Sequence, residues 1–214
     1  MKTKIFLTIS FLTILGISIN NAQIMVGPKI GLNLAKSSDD DIDHQKSLGG
    51  LCIGAVAEYK VNDLISAKAE LLYARKGWKS VNGDDFVKVK KNYLDIPITL
   101  NVGYDISGFN VYGGPGIYFG YWLGGKYQSE STYTDFWGNE HTTSEDATID
   151  FDKKTWEDCK RLDIGLNINA GASKEIGNGK MFAELRYGFG FVDTDDNGDQ
   201  NRAFSLSFGY LIKL

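Results

Sequence analysis

Charged side chains recur at every second position inside otherwise apolar segments. Lys29, Glu58, Lys68, Glu70, Asp95, Asp163, Glu184 and Arg186 share this pattern with Asn33, Asn101, Asn167 and Asn169. Successive side chains of an extended strand point to opposite faces, so these residues belong to one face of a sheet. Acids and bases gathered on one enclosed face must pair or hydrogen-bond, because an unpaired buried charge is costly. Two chemistries follow: a packed ionic network that holds strands together, or a polar path for protons or ions.

Other groupings are candidates for binding. Asp193, Asp195, Asn197 and Asp199, with Gly198 in the sixth place, have the alternation of a calcium loop. The twelfth place is Phe204 rather than Glu, and no helical pattern flanks the segment. A solvated external loop is the expectation, with weak calcium binding as the alternative, and the run Asp39-Asp40-Asp41 reads the same way. His44 and His141 both fall in loops, and neither is spaced with a cysteine as a zinc pair requires. No His sits where a Ser, a His and an acid could converge at a strand rim, so a non-enzymatic protein without a cofactor is expected. Cys52 and Cys159 are the two cysteines. They either staple two neighbouring external ends through a disulfide or remain two thiols.

The segment 125–161 is the longest stretch without alternation. Residues 126–160 hold nine acids against four lysines, together with Tyr133, Phe136, Trp137 and Trp156. Connections of this length are commonly functional, and exposed aromatics among polar residues mark contact surfaces. The segment reads as a site for a protein partner or ligand, or as a hydrated hairpin rich in threonine.

Eight alternating segments must position these groups, at about 24–35, 49–60, 64–77, 86–104, 108–124, 162–175, 180–192 and 202–214. Their second face is apolar, as in Leu94, Ile96, Ile98, Leu100 and Val102, or Phe204, Leu206, Phe208, Tyr210 and Ile212. The intervening connections alternate strictly between long (36–48, 78–85, 125–161, 193–201) and short. Every long connection therefore lies at one end of an up-and-down meander. That is the layout of an eight-stranded antiparallel transmembrane β-barrel, with tight turns inside and long loops outside. Tyr59, Tyr104, Phe109, Tyr118, Tyr121, Trp122, Phe189, Phe191 and Tyr210 are expected in its interfacial girdles. Pro97 and Pro115 are expected to mark bulges or bends, since proline donates no ladder hydrogen bond.

The amino terminus adds an address. Lys2 and Lys4 precede an apolar run, Ile5 to Ile19, that ends at Asn20-Asn21-Ala22. This reads as a signal peptide over residues 1–22, leaving a barrel domain over 23–214. Removing the two leader lysines leaves 21 basic against 27 acidic residues, a net of −6. That balance argues against a nucleic-acid partner. The mean hydropathy of −0.22 excludes a bundle of apolar helices but not a barrel, in which only alternate residues meet lipid.

Several short stretches carry a family resemblance. They are Gly27-x-Lys-x-Gly-Leu-Asn-Leu34, Tyr93-Leu-Asp-Ile-Pro-Ile98 and Gly113-Gly-Pro-Gly-Ile-Tyr118. Asp163-Ile-Gly-Leu-Asn, Arg186-Tyr-Gly-Phe-Gly190 and the closing Ser207-Phe-Gly-Tyr-Leu-Ile212 continue the series. In this order they resemble the PorT-like family of small Bacteroidetes outer-membrane β-barrels. The resemblance implies the fold and an outer-membrane location, with membrane lipid and lipopolysaccharide as surroundings. The resulting expectation is a monomeric, non-enzymatic barrel whose acidic external loops serve envelope structure or surface interaction. A narrow porin or small-solute transporter is the alternative. A soluble lipocalin-like barrel, with an apolar interior and polar exterior, is the third reading.

Overall fold

The alternation closes into a ring. The computed structural model describes residues 23–38, 44–83, 85–151, 159–194 and 200–214. The segment read as a signal peptide, 1–22, lies outside the described residues. Nine antiparallel strands form: β1 (Gln23–Ser37), β2 (Gln45–Lys60), β3 (Ile65–Asn82), β4 (Asp85–Ile106), β5 (Phe109–Thr134), β6 (Glu140–Ile149), β7 (Leu162–Ile176), β8 (Gly179–Gly190) and β9 (Asn201–Lys213). Each of β1 to β5 pairs with the next, β5 pairs with β7, and β9 returns to β1. Eight strands thus make a closed barrel with no free edge. The ninth, β6, stands outside the ring and pairs with the upper half of β5.

This ninth strand corrects the reading of 125–161 as a loop. β5 runs for 26 residues, far beyond the ~9–11 that a tilted strand needs to cross a membrane. Up to Tyr121 it pairs with β7, and from Gly125 onward β6 takes that place. The connection 78–85 is likewise mostly strand, since β3 and β4 stay paired as far as Asn82 and Asp85. β3, β4, β5 and β6 therefore rise together as a sheet beyond the barrel. The segment 86–104 takes in nearly all of β4, but 64–77 and 108–124 stop short of the extensions of β3 and β5, whose outward positions there are polar, as at Lys79, Lys126 and Gln128.

The faces are apolar outside and polar inside. Leu32, Leu100 and Ile168 are more than half exposed, while Lys68, Asp163 and Glu184 are buried. A lipocalin-like barrel would have the reverse arrangement, so that reading is overturned. Two expected girdle aromatics also belong inside. Tyr118 and Trp122 are buried, because Ile117, Phe119, Tyr121 and Leu123 take the outward positions of the same strand. The period of two decides this, whatever the affinity of aromatics for an interface.

The short turns share one end with the start of β1 and the end of β9. Asn62 Oδ1 accepts from the backbone N–H groups of Leu64 (2.8 Å) and Ile65 (2.7 Å). Ser107 and Gly108 both have positive φ (52° and 82°), as a two-residue hairpin turn of mirror-image type requires. Leu214 N–H donates to Ile24 O at 3.0 Å, joining the last residue to the start of β1. Pairing runs through Pro97 and Pro115 with unbroken register, so neither marks a bulge. The shift on the β4–β5 pair lies at Asn92/Tyr93 instead.

Candidate functional site: a filled lumen and an external hairpin

Two ionic layers fill the barrel. The first is organised around Glu184 on β8 and Glu70 on β3. Lys29 Nζ donates to Glu184 Oε1 at 2.7 Å and to Glu70 Oε2 at 3.0 Å. Lys68 Nζ reaches the other Glu184 oxygen at 2.7 Å. Arg186 bonds both carboxylates, with Nη1 3.0 Å from Glu70 Oε2 and Nη2 2.6 Å from Glu184 Oε1. Tyr112 Oη lies 3.3 Å from Glu184 Oε2, and the Lys68 ammonium stands 4.4 Å from the Tyr112 ring centre. These residues come from β1, β3, β5 and β8, so one carboxylate ties together strands from all around the ring. An eight-stranded barrel has an interior just wide enough for side chains to fill, and here they do.

The second layer lies toward the external end. Lys76 Nζ donates to Asp95 and Asp163, each at 3.1 Å. Tyr118 Oη and Asn201 Nδ2 donate to Asp163 at 3.1 and 3.0 Å. The Lys76 ammonium is 4.6 Å from the ring centres of both Tyr93 and Tyr118. Above it, Trp122, Tyr93, Val89 and Ile149 form an apolar plug, with Phe151 edge-on to Trp122 at 5.0 Å. Below the first layer, Met25, Val56, Phe182 and Leu211 form a second apolar cluster.

All eight charged residues expected inside the lumen are buried there. Seven join the two layers. Glu58 stands apart near the short-turn end, paired with Lys180. Lys76, Tyr93, Tyr112, Tyr118, Asn201 and Lys180 complete the network and are not among the lumen residues expected from sequence. Parity would have found Lys76, two strand steps beyond Leu72 and four beyond Lys68 on the same face. The tyrosines carry no such signal, because a tyrosine suits either a lipid girdle or a polar lumen.

Two separate spaces lie within the barrel. A cavity of about 420 Å³ opens at the short-turn end, floored by Tyr112 and rimmed by Asn62, Asp63, Asp105 and Lys180. A separate void of about 50 Å³ lies between the ionic layers, beside Cys52, Asp95 and Arg186. Small residues make room for the large ones. A Cβ on Gly171 would lie 2.7 Å from Tyr112, and one on Gly165 2.6 Å from Tyr118.

At the other end, β5 and β6 form a hairpin whose tip is built by one carboxylate. Asp135 Oδ1 accepts from the N–H groups of Trp137 (2.9 Å) and Asn139 (2.8 Å). Its other oxygen meets Asn139 Nδ2 at 3.0 Å and His141 Nε2 at 3.1 Å. Side-chain and backbone hydrogen bonds from Asn139, then the His141 contact, hold the Asp135 pKa down at about 2. His141 lies on β6 rather than in a loop, and stacks on Tyr133 with ring centres 5.2 Å apart. The tip presents Phe136 and Trp137 edge to face, 97% and 82% exposed. Trp156, the fourth expected contact aromatic, lies outside the described residues.

The remaining candidates are not brought together. No disulfide joins Cys52 and Cys159. Cys52 is buried against Leu72 and Ala74, whereas Cys159 packs beside the Trp122 plug. Of the calcium-like run, only Asp193 is described, accepting from Gln200 Nε2 at 2.9 Å. Asp195, Asn197 and Asp199 lie outside the described residues, as does Asp39-Asp40-Asp41. Among the described residues, no three His, Cys, Asp or Glu side chains converge as a metal site.

Comparison with known proteins agrees with this architecture. The structure is similar to that of Neisserial surface protein A, at 16% identity and a TM-score of 0.55, covering 91% of this chain and 100% of that one. Similarity extends to the outer membrane protein OprG from Pseudomonas aeruginosa, at 12% identity and a TM-score of 0.44, covering 90% and 95%. Ail, the attachment invasion locus protein of Yersinia pestis, is similar at 14% identity and a TM-score of 0.42, covering 89% and 99%. At such identities the likeness concerns the fold alone. No curated protein matches the sequence. The family described as outer membrane protein beta-barrel domain matches residues 16–196. An apolar belt, a polar and filled interior, and this match together place the protein in the outer membrane, and the chain belongs to the outer membrane protein beta-barrel domain family.

Proposed function

We propose that this barrel is a non-enzymatic surface protein that works through its external hairpin, with the lumen serving as a rigid filling. The observation that carries this reading is the pair Phe136 and Trp137. Two large aromatics stand nearly fully exposed at the tip of a turn fixed by five contacts to Asp135. A pre-organised apolar tip loses little entropy on binding, which is the property of a contact surface. Acidic residues flank it (Glu130, Glu140, Glu145, Asp146), favouring a partner with apolar and basic character. Within the lumen, the cross-linked Glu184 and Glu70 layer supports a structural role over transport.

Photo-crosslinking on intact cells tests this. A benzophenone amino acid at position 137 should give discrete adducts that disappear when Phe136 is replaced by Ser. A probe at lipid-facing Leu100 supplies the background. Adducts at 137 no stronger than those at 100 would contradict the proposal.

A further inference from the structure

The external sheet carries a second feature, unrelated to the hairpin tip. Directly above the lipid belt, on its outward face, cations stand opposite one another across four strands. Lys46 on β2 pairs with Lys79 on β3, and Lys79 pairs with Lys88 on β4. One step nearer the membrane, Lys90 on β4 pairs with Lys126 on β5. One step nearer still, Arg75 stands opposite Asn92 and donates to its Oδ1 at 3.3 Å. The next row is Tyr73, Leu94 and Tyr121, which faces lipid.

Like charges directly opposite in a sheet destabilise it. Among the described residues none of these six cations is ion-paired. The acids beside this face are Asp150, next to Ile149 at the membrane end of β6, and Asp146 and Glu130 farther out. Asp146 accepts from Gln128 Nε2 at 3.0 Å, and Glu130 pairs with Phe86 one row farther out. The Lys90 ammonium is held below its ordinary pKa by partial desolvation and by the charges of Lys88, Arg75 and Lys126. Lys79 stands over the Phe86 ring at 5.5 Å, and an anion shared among the remaining cations would relieve their repulsion.

We propose that this patch binds the phosphorylated headgroup of an outer-leaflet glycolipid. Three relations support that occupant. Rows of a sheet lie about 7 Å apart along the strand, so the cations begin one row above the last lipid-facing side chains, at headgroup height. Neighbouring strands lie about 4.8 Å apart, so paired ammonium groups can share one phosphate from two sides. The patch is also continuous with the apolar belt, so acyl chains seated on Leu94 and Tyr121 would lead their phosphates to Lys90 and Lys126. A soluble anion would gain only the upper half of this surface.

The test uses the whole barrel in detergent micelles, with bound lipid counted by native mass spectrometry. The probe is bisphosphorylated lipid A, compared with the same glycolipid stripped of phosphate and with inorganic phosphate. Wild-type protein should retain the bisphosphorylated form, and less of it as salt rises. The Lys88→Gln, Lys90→Gln, Lys126→Gln triple variant should lose retention by about tenfold or more. A control triple at the other end, Lys60→Gln, Lys174→Gln and Lys213→Gln, should retain it unchanged. Heat-modifiable migration verifies that each variant is folded. Equal retention by wild type and the patch variant would overturn the proposal. So would equal retention of the stripped glycolipid, or full displacement by inorganic phosphate at equimolar concentration.

Discussion

Lys29 and Glu184 are 155 positions apart in sequence and meet in the lumen with Nζ 2.7 Å from Oε1. The same carboxylate is bonded by Lys68 and Arg186, so three cations depend on it. Replacing it leaves Lys29 and Arg186 sharing Glu70, and leaves Lys68 with Tyr112 but no acid partner among the described residues. Glu184→Gln should therefore destabilise the barrel by about 3–5 kcal/mol, the usual cost of stripping a buried pair of one partner. Urea unfolding in lipid vesicles, followed by tryptophan fluorescence, measures this. Adding Lys29→Met should recover part of the loss, because it restores charge balance.

The hairpin tip should respond to acid. Asp135 has its pKa lowered from 3.8 to about 2, so its contribution to the folded turn is complete above about pH 4. That contribution fades as pH falls toward 2, where the carboxylate takes up its proton. Amide resonances of Trp137 and Asn139 should shift over that window in the wild type. In Asp135→Ala they should sit near the acid position at neutral pH.

Glycine 171 is required by space. A side chain there meets Ala183 O at 2.5 Å and the Tyr112 ring at 2.7 Å, both in the packed lumen. Gly171→Val should cost about 1–3 kcal/mol or more through overpacking. Heat-modifiable migration should weaken or vanish. Pairing it with Tyr112→Ala should restore part of the folded band, since the ring is the obstacle that can be removed.

Trp122 closes the external end of the lumen. It is buried, its ring lies 6.1 Å from Tyr93, and its Nε1–H donates to Gly124 O at 3.0 Å. Trp122→Ala should cost about 3–5 kcal/mol. It should not by itself make the barrel conduct, because the Lys76 and Glu184 layers remain beneath it.

These features were unequally legible in sequence. Strand positions and the inward set from Lys29 to Arg186 followed from a period of two, because lipid on one side and a tight polar lumen on the other enforce it. Tyr118 and Trp122 point inward by parity, although their residue type suits an interfacial girdle equally well. β6 carries no alternation, since Thr142, Thr143, Ser144 and Glu145 face water on both sides, and only the threonine-rich hairpin alternative for 125–161 points to it. Cross-strand rows such as Lys79–Lys88 and Lys90–Lys126 depend on register, which a list of segments does not specify. The pairing of individual acids with bases needed the same information.

If the lumen is filling and the outer surface does the work, the barrel does not conduct. Single-channel recording of the purified barrel in planar bilayers should then show no stable openings in the wild type, in Phe136→Ser or in Trp122→Ala. Stable ohmic openings in the wild-type barrel, altered by Glu184→Gln, would contradict it and assign the ionic layers to a conducting path.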